Sequence, residues 1–275
     1  AHAAESVTVL EGLRAAPDTI HCGKGANIVD DANIAARLNV FGETFAIDTR
    51  PPQGMIAEAV DVARKADVVV ACVGEAKEHS GESATRTEIG LPGSQQRLLQ
   101  ALHATGKPLV IVVMSGRPLA LSWEDQHADA IVSAWFAGSE AGNGIADVLF
   151  GDVNPSGKLA MSFPRSVGQC PIYYAEPPTG RPLGMIGIDV KGDNARDARG
   201  RHVFRKFTTA CRVDGPSTPL YPFGYGLSYS TVEYGTIGVD KTVLRGNDVL
   251  EASIEVRNNS LLAGEEIVQL YVGDP

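Results

Sequence analysis

Residues 66–86 read ADVVVACVGEAKEHSGESATR, and this stretch decides the predicted fold. Its first part, residues 66–73, is short, continuously apolar and rich in β-branched side chains, which predicts a fully buried strand. Its second part, residues 74–86, carries three glutamates, a histidine, a lysine and an arginine, with two glycines that allow turns. A helical pattern follows near residues 92–102, so this polar loop is predicted at the carboxyl end of a parallel strand, where open α/β sheets bind ligands.

The composition is that of a globular protein with one large or two ordinary domains, since 44% of its 275 residues are hydrophobic and 21% are charged. The formal net charge is −9 and no cluster of Lys and Arg occurs, so neither nucleic acid nor a membrane is a predicted partner. No apolar run approaches the roughly 18 to 20 residues of a transmembrane helix. The first residues lack the features of a signal peptide and an initiator Met, and we expect the chain to be a processed or trimmed piece.

Four cysteines are present, at positions 22, 72, 170 and 211. None form a Cys-x-x-Cys pair, so no metal site is predicted. Cys72 lies inside the predicted strand and is expected to be a small core hydrophobe. Cys170 and Cys211 lie in loop-like sequence, and a disulfide between them is one of several pairings that four cysteines allow.

Strands and helices alternate in the first half of the chain. Further continuous apolar strands are predicted at residues 107–114 and 128–135, and helices at residues 1–15, 52–64, 93–103 and 138–150. This alternation predicts an α/β fold whose mostly parallel sheet is sandwiched by helices. Because so short a parallel sheet rarely leaves its edge exposed, we expect the weak strand at residues 19–28 to join it and another strand to precede residue 1.

The pattern changes after residue 151 and again after residue 228. Residues 151–226 are rich in Gly, Pro and aromatics, with a short strand expected at residues 157–162 and a surface loop at residues 189–205. From residue 232 apolar residues alternate with polar ones, which predicts antiparallel β-sandwich strands. A sandwich of this kind needs about 100 residues, so we expect it to be truncated at residue 275.

A series of short motifs along residues 55–275 resembles the C-terminal part of the family 3 glycoside hydrolases, especially the bacterial periplasmic β-glucosidases. Each motif alone is weak, but together and in this order they are specific. They are Ser80-Gly81-Glu82 with Arg86; Leu91-Pro92-Gly93-Ser94-Gln95; Ser115-Gly116-Arg117-Pro118-Leu119; Trp135-Phe136-Ala137-Gly138; Asp147-Val148-Leu149-Phe150-Gly151 with Asn154-Pro155-Ser156-Gly157-Lys158-Leu159; Phe163-Pro164; and Tyr221-Pro222-Phe223-Gly224-Tyr225-Gly226-Leu227-Ser228-Tyr229.

The resemblance implies an enzyme of three parts: a (β/α)8 barrel, an α/β sandwich domain and a fibronectin type III-like domain. Residues 1–228 then form the α/β sandwich domain without its first strand, residues 229–275 begin the fibronectin type III-like domain, and the barrel is absent from this chain. The implied activity is retaining release of terminal β-D-glucosyl residues, without metal or organic cofactor, in the periplasm or outside the cell. The implied partners are β-glucoside oligosaccharides and a barrel domain or chain of the same enzyme.

Retaining glycosidases use two carboxylates about 5 to 5.5 Å apart. The resemblance places the nucleophilic Asp on the barrel, and no segment of residues 1–275 matches the nucleophile segment, so this chain supplies only the general acid/base. Glu82 is the first candidate because Ser80-Gly81-Glu82 matches the family's acid/base motif. Glu78 is the second, because the loop varies in length among relatives. Glu75 follows the strand directly and is predicted to hold the loop by hydrogen bonds.

Arg86 and His79 each have two interpretations. Arg86 either contacts substrate or orients a carboxylate, or it forms a structural ion pair with Glu82 or Glu88. His79 either lines the aglycone side or is a solvated loop histidine, and the second reading is the commoner one.

A function from another class also stays open: a non-catalytic module that binds carbohydrate or scaffolds a partner. The Ser80-Gly81-Glu82 loop favours the enzyme, whereas the missing barrel favours the module. Trp135 and Phe136 are either sugar-stacking aromatics or part of core or interdomain packing. Residues 138–144 lack the ending of a phosphate-binding loop, and no nucleophile elbow of a serine hydrolase appears.

Overall fold

A three-stranded parallel sheet forms the centre of the molecule. The computed structural model describes residues 5–38, 47–175, 199, 214–216 and 218–272. The strands lie in the order β1, β2, β3, with β1 at Val69–Gly74, β2 at Leu109–Met114 and β3 at Ala130–Ser133. In the register, Val69 lies beside Leu109 and Gly74 beside Met114. The prediction of a mixed α/β fold with a parallel sheet is confirmed.

Helices connect and flank these strands. In the described part of the chain they are α1 Val9–Ala15, α2 Ala32–Leu38, α3 Pro52–Ala63, α4 Gln95–His103, α5 Ser122–His127 and α6 Ala141–Phe150. Helices α1, α3, α4 and α6 lie within predicted helical stretches, each somewhat shorter than predicted. Helices α2 and α5 were not predicted.

The core lies between one face of the sheet and helices α3 and α4. Alternate residues of β1 and β2 point into it, and with them Ala59 and Ala63 of α3 and Leu98, Leu99 and Leu102 of α4 form one buried cluster. Leu99, Leu109 and Ile111 have no exposed surface. Burying a side chain of this size contributes about 1.5 to 3 kcal/mol, so this layer fixes the sheet against its helices.

The predicted strand at residues 19–28 does not form. A Cβ atom on Gly25 would lie 2.5 Å from Leu98 Cδ1 and 3.0 Å from Ala59 Cβ, so this segment packs its backbone closely against α3 and α4. Near its end the Gln95 amide donates to the carbonyls of Ile28 and Gly74, at 3.2 and 2.9 Å. A side chain therefore links the segment to β1, and β1 stays at the edge of the described sheet.

This edge position overturns the expectation for Cys72. Its neighbours Ala71 and Val73 point into the core, whereas Cys72 points to the opposite face and is exposed. Cys170 is also exposed. Cys211 lies outside the described residues, so the bridge between Cys170 and Cys211 stays a prediction.

The second half of the chain has little regular structure among its described residues. The strand predicted at residues 157–162 is absent; instead Leu159 donates to Tyr225, Gly224 donates to Leu159, and Phe163 forms a bridge with Tyr221. The surface loop predicted at residues 189–205 lies outside the described residues, apart from Arg199.

The last part contains short antiparallel pairs. Strand β4 (Val232–Tyr234) pairs with β7 (Val256–Asn258), and β5 (Gly238–Val239) pairs with β6 (Ala252–Ser253). The pairing is antiparallel, as the alternation predicts, while the fibronectin type III-like topology stays a prediction. Among the described residues, no helix is long and apolar enough to cross a bilayer.

Candidate active site

The polar loop begins where β1 ends, at Gly74. This residue has a φ of +143°, and a Cβ atom there would lie 1.8 Å from the Met114 carbonyl oxygen at the end of β2. Only glycine fits such a close approach. The Gly74 N–H donates to Gln95 Oε1 at 2.7 Å, so α4 fixes the start of the loop.

The Glu75 side chain is fully buried and is the centre of the site. Its Oε1 accepts from Arg86 Nη1 at 2.5 Å, and its Oε2 accepts from Ser115 Oγ at 2.8 Å and Arg117 Nε at 3.2 Å. Burial by itself raises the pKa of Glu75, but the Ser115 hydrogen bond and the two arginines outweigh it and hold the pKa below its ordinary value. Glu75 is therefore an anion between two cations. Its hydrogen bonds to Arg86, Ser115 and Arg117 confirm the prediction that it holds the loop.

His79 is buried inside the loop, which corrects the expectation of a solvated histidine. Only 6% of its surface is exposed, and its Nδ1 accepts from the Ala76 N–H at 2.9 Å. Burial is the largest of several effects that lower the pKa of His79. The Arg117 Nη2 donates to the His79 carbonyl, so the histidine is part of the loop's internal framework.

Glu82 lies at the exposed side of this framework. The turn before it uses Gly81 at φ +111°, and Ser83 after it has φ +59°, a conformation that a serine rarely adopts. Within the described residues Glu82 makes no hydrogen bond or ion pair. Its carboxylate is free to meet a ligand.

Glu78 has a different environment. Its side chain is only 13% exposed, and its carboxylate lies 3.5 Å from Lys77 Nζ. Glu78 is thus partly covered and paired, while Glu82 is neither.

Arg86 pairs with Glu75, not with Glu82 or Glu88 as the sequence suggested. Its side chain is 16% exposed and its Nη1 is directed at the buried carboxylate. The structural reading of Arg86 is thereby supported, and contact with substrate stays a prediction.

Aromatic residues adjoin the loop on the side of β3. Trp135 has φ +50° and packs edge-to-face on Phe163, with ring centroids 5.7 Å apart, so it belongs to the core. Phe136 is 54% exposed. A Cβ atom at Gly116 would lie 2.1 Å from Ser80 Oγ and 2.6 Å from Phe136, so the ring lies against the backbone that follows β2, close to Ser80 of the loop.

Ser115 and Arg117 were not recognised as site residues in the sequence. They directly follow β2, and this position at the carboxyl end of the neighbouring strand is a signal that sequence reasoning had available. Gln95 was missed as well, because nothing local distinguishes a helix residue that reaches back to a strand end.

Two other kinds of candidate site, a surface depression and a metal-binding cluster, were considered outside the loop. A shallow depression of about 450 Å³ is lined by residues 158–160, 174, 223–224, 267 and 269–271, and it contains no residue of the loop. Among the described residues, no group of three or more His, Cys, Asp or Glu side chains is arranged to hold a metal ion.

Comparison with known proteins identifies the family. Residues 1–229 match the family described as the glycosyl hydrolase family 3 C-terminal domain. The chain belongs to this family. It is 48% identical over 273 residues to the periplasmic beta-glucosidase of Salmonella typhimurium, covering 98% of this chain and 34% of that protein. It is 39% identical over 228 residues to the beta-xylosidase of Formosa agariphila, covering 83% of this chain and 28% of that protein.

Solved structures of family 3 enzymes show the same fold. The crystal structure of the beta-glucosidase from Listeria innocua in complex with isofagomine aligns with a TM-score of 0.73 and 32% identity, over 95% of this chain and 31% of that chain. The family 3 chain described here thus spans about a third of the length of the relatives it matches.

Proposed function

We propose that this chain is the C-terminal portion of a retaining exo-β-glucosidase and that Glu82 is its general acid/base. The observation that carries the proposal is the contrast within one loop. Glu75 is buried between two arginines and fixes the loop, whereas Glu82 is exposed and unpaired beyond it. Such a loop at the carboxyl end of a parallel strand is where α/β sheets place ligands.

The chemistry needs two carboxylates with different tasks. The nucleophile, an Asp on the barrel, attacks the anomeric carbon while Glu82 donates a proton to the departing glycosidic oxygen. A covalent glycosyl-enzyme results. Glu82, now ionised, then removes a proton from water, which attacks the same carbon and releases the sugar with its configuration retained. No metal or organic cofactor takes part in these steps.

Exposure and pairing favour Glu82 over Glu78 for this task. A general acid must come within hydrogen-bond reach of the oxygen that it protonates. Glu82 is exposed and has no partner to give up within the described residues. Glu78 is mostly covered and would have to leave Lys77.

The relatives support the remaining parts of the proposal. They are named beta-glucosidase or beta-xylosidase and are about three times as long as this chain, which leaves room for a barrel domain. We assign residues 1–228 to the α/β sandwich domain and residues 229–275 to the start of a fibronectin type III-like domain. By similarity to the periplasmic beta-glucosidase, the proposed location is the periplasm, or the outside of the cell, and the proposed substrates are β-glucoside oligosaccharides.

The test is Glu82→Gln in the enzyme assembled with its barrel. General acid catalysis contributes typically 10²- to 10⁴-fold, so kcat/KM on a β-linked disaccharide should fall by about that factor. An aryl β-glucoside with an activated leaving group needs no proton, so it should still form the glycosyl-enzyme, which then accumulates. Azide needs no base and should restore turnover, giving the β-glycosyl azide.

Two comparison variants complete the experiment. Glu58→Gln removes an exposed carboxylate that lies 2.5 Å from Arg50, and it should leave both substrates unaffected. Glu78→Gln tests the second assignment. If Glu78→Gln showed the loss and the azide rescue while Glu82→Gln kept normal activity, the acid/base would be Glu78. If neither variant showed them, this chain would supply no acid/base.

A further inference from the structure

We propose that Glu75, with Arg86 and Arg117, is a positioning group that fixes the acid/base loop and so sets how well the enzyme protonates poor leaving groups. The proposal rests on the function proposed above. It concerns residues that do not touch substrate and act through the loop that carries Glu82.

Glu75 joins the two ends of the loop. It directly follows β1, and Arg86 lies four residues beyond Glu82. The 2.5 Å contact between Arg86 Nη1 and Glu75 Oε1 therefore closes residues 75–86 into a ring. Glu82 lies inside this ring, so its position depends on the closure.

Arg117 fastens the ring to the sheet. Its Nε donates to Glu75 Oε2 at 3.2 Å, and its Nη2 donates to the His79 carbonyl in the middle of the loop. Ser115 Oγ holds Glu75 from the same side at 2.8 Å. Both residues follow β2, whose pairing with β1 continues to Gly74 beside Met114. The loop is thus fixed at its start, its middle and its end.

Few other hydrogen bonds hold the part of the loop that contains Glu82, among the described residues. Residues 76–80 form one turn, in which His79 N–H donates to Ala76 and Ser80 N–H to Lys77. Between Gly81 and Thr85 the backbone makes one hydrogen bond, from Ala84 to Gly81, among the described residues. The order of this part therefore depends mainly on the Glu75 contacts that bracket it.

The negative charge of Glu75 is the property that holds Arg86 and Arg117, and with them the loop, in place. A buried carboxylate that compensates two guanidinium groups is strongly held, and replacing it leaves buried positive charge without compensation. Glu75→Gln keeps the size of the side chain and can still accept from Ser115, but it loses the attraction to both arginines. The loop then opens more often, and a displacement of about 1 Å at a catalytic group costs on the order of 10²-fold in rate.

The decisive experiment compares two substrates in the assembled enzyme. We expect Glu75→Gln to lower kcat/KM on a β-linked disaccharide by about 10- to 100-fold. On an aryl β-glucoside with an activated leaving group, formation of the glycosyl-enzyme should change by less than about 3-fold, since this step needs no proton. Glu58→Gln, which breaks an equally short but exposed pair with Arg50, should change neither substrate.

A second variant and a second measurement apply if Glu75→Gln folds poorly. Arg117→Lys keeps the positive charge but cannot make the forked contact to Glu75 and His79, so it should show the same leaving-group dependence in weaker form. In the 275-residue chain, hydrogen exchange at the amides of Ala76, His79 and Ser80 should be faster in Glu75→Gln than in Glu58→Gln.

The outcomes separate this proposal from the one on which it rests. Equal losses on both substrates would mean that Glu75 only stabilises the fold, and an unchanged disaccharide rate with unchanged amide exchange would mean that it does not position the loop. Either result overturns the positioning role while Glu82→Gln still shows its own leaving-group dependence. If Glu82→Gln itself shows no such dependence, the proposed function is wrong, and the positioning role that rests on it is wrong as well.

Discussion

Glu75 and Glu124 are both buried glutamates, and their surroundings shift their pKa values in opposite directions. Glu75 has two arginines and a hydroxyl, which lower its pKa despite burial. Glu124 lies in α5 with 1% of its surface exposed, and its Oε1 has no hydrogen-bond partner within the described residues. Burial raises the pKa of Glu124, and its own backbone N–H and nearby His127 offset only part of this. In these two residues the hydrogen-bonding and charged partners, more than the extent of burial, set the direction in which the pKa is shifted.

Glu124 should make the stability of the chain depend on pH. In the unfolded chain it ionises near its ordinary pKa of about 4.3, whereas the folded protein keeps its proton to higher pH. Its contribution is fully present below the unfolded value and is lost as the pH rises through the raised folded value. Glu124→Gln does not titrate, so its stability relative to the original chain should rise between pH 4 and pH 7, by an amount on the order of 1 kcal/mol.

Urea unfolding at several pH values measures this difference. Glu255→Gln, at an exposed position, is the matched control and should track the original chain at every pH. A stability difference for Glu124→Gln that stayed constant from pH 4 to pH 7 would show that Glu124 does not titrate abnormally.

At the scale of elements, α1 and α6 pack backbone against backbone. A Cβ atom at Gly142 would lie 2.0 Å from the Thr8 carbonyl oxygen, and one at Gly12 would lie 2.1 Å from the Gly142 carbonyl oxygen. Val7 is bound on both sides, donating to Ser139 at 2.8 Å and accepting from Gly142 at 3.0 Å. These contacts attach the start of the described chain to the helix that follows β3.

Gly142→Ala should therefore separate the two helices. Its Cβ meets backbone atoms that cannot rotate away, so we expect the free energy of unfolding to fall by about 1 to 3 kcal/mol. Gly144→Ala in the same helix has nothing within 4 Å of its Cβ, and it should raise stability by about 0.5 to 1 kcal/mol through helix propensity. Urea unfolding of the two variants checks this pair, and equal effects would argue against the close approach of α1 and α6.

At the scale of the whole molecule, the α/β part and the last β-strands are joined by polar contacts. Asn154 Nδ2 donates to Ser230 Oγ at 2.7 Å and to the Ala263 carbonyl at 2.9 Å. Lys158 lies 3.3 Å from Glu266, and Tyr229 donates to the Val148 carbonyl. Tyr229, at the end of the aromatic stretch, thus takes part in the contacts between the two parts.

The chain by itself should lack glycosidase activity. Its loop offers an acid/base candidate, but no segment of residues 1–275 matches the family's nucleophile segment. We expect the purified 275-residue chain to hydrolyse an aryl β-glucoside no faster than buffer, even with an activated leaving group, because the nucleophile acts first. The enzyme assembled with its barrel is the positive control. Clear turnover by the isolated chain would place both carboxylates within it.

Local patterns were sufficient for the central sheet and its main helices. Strands β1, β2 and β3 are continuous apolar runs, and α3, α4 and α6 have apolar residues at helical spacing, so each signal lies within one short window. The candidate loop was found in the same way, because its polar residues directly follow β1. Where the local signal is weak the prediction was wrong, as at residues 19–28, where glycines pack on α3 and α4 and no strand forms.

The sequence by itself determined the order of β1, β2 and β3 with helices α1, α3, α4 and α6, the family, and the loop on which the acid/base candidates lie. Tertiary structure alone decided that Arg86 pairs with Glu75, that His79 is buried and Cys72 exposed, and that Arg117 joins the loop to β2. The physical reason is distance along the chain. Glu75 and Arg117 are 42 residues apart and meet only because β1 and β2 lie side by side, and burial depends on what covers each face of the sheet.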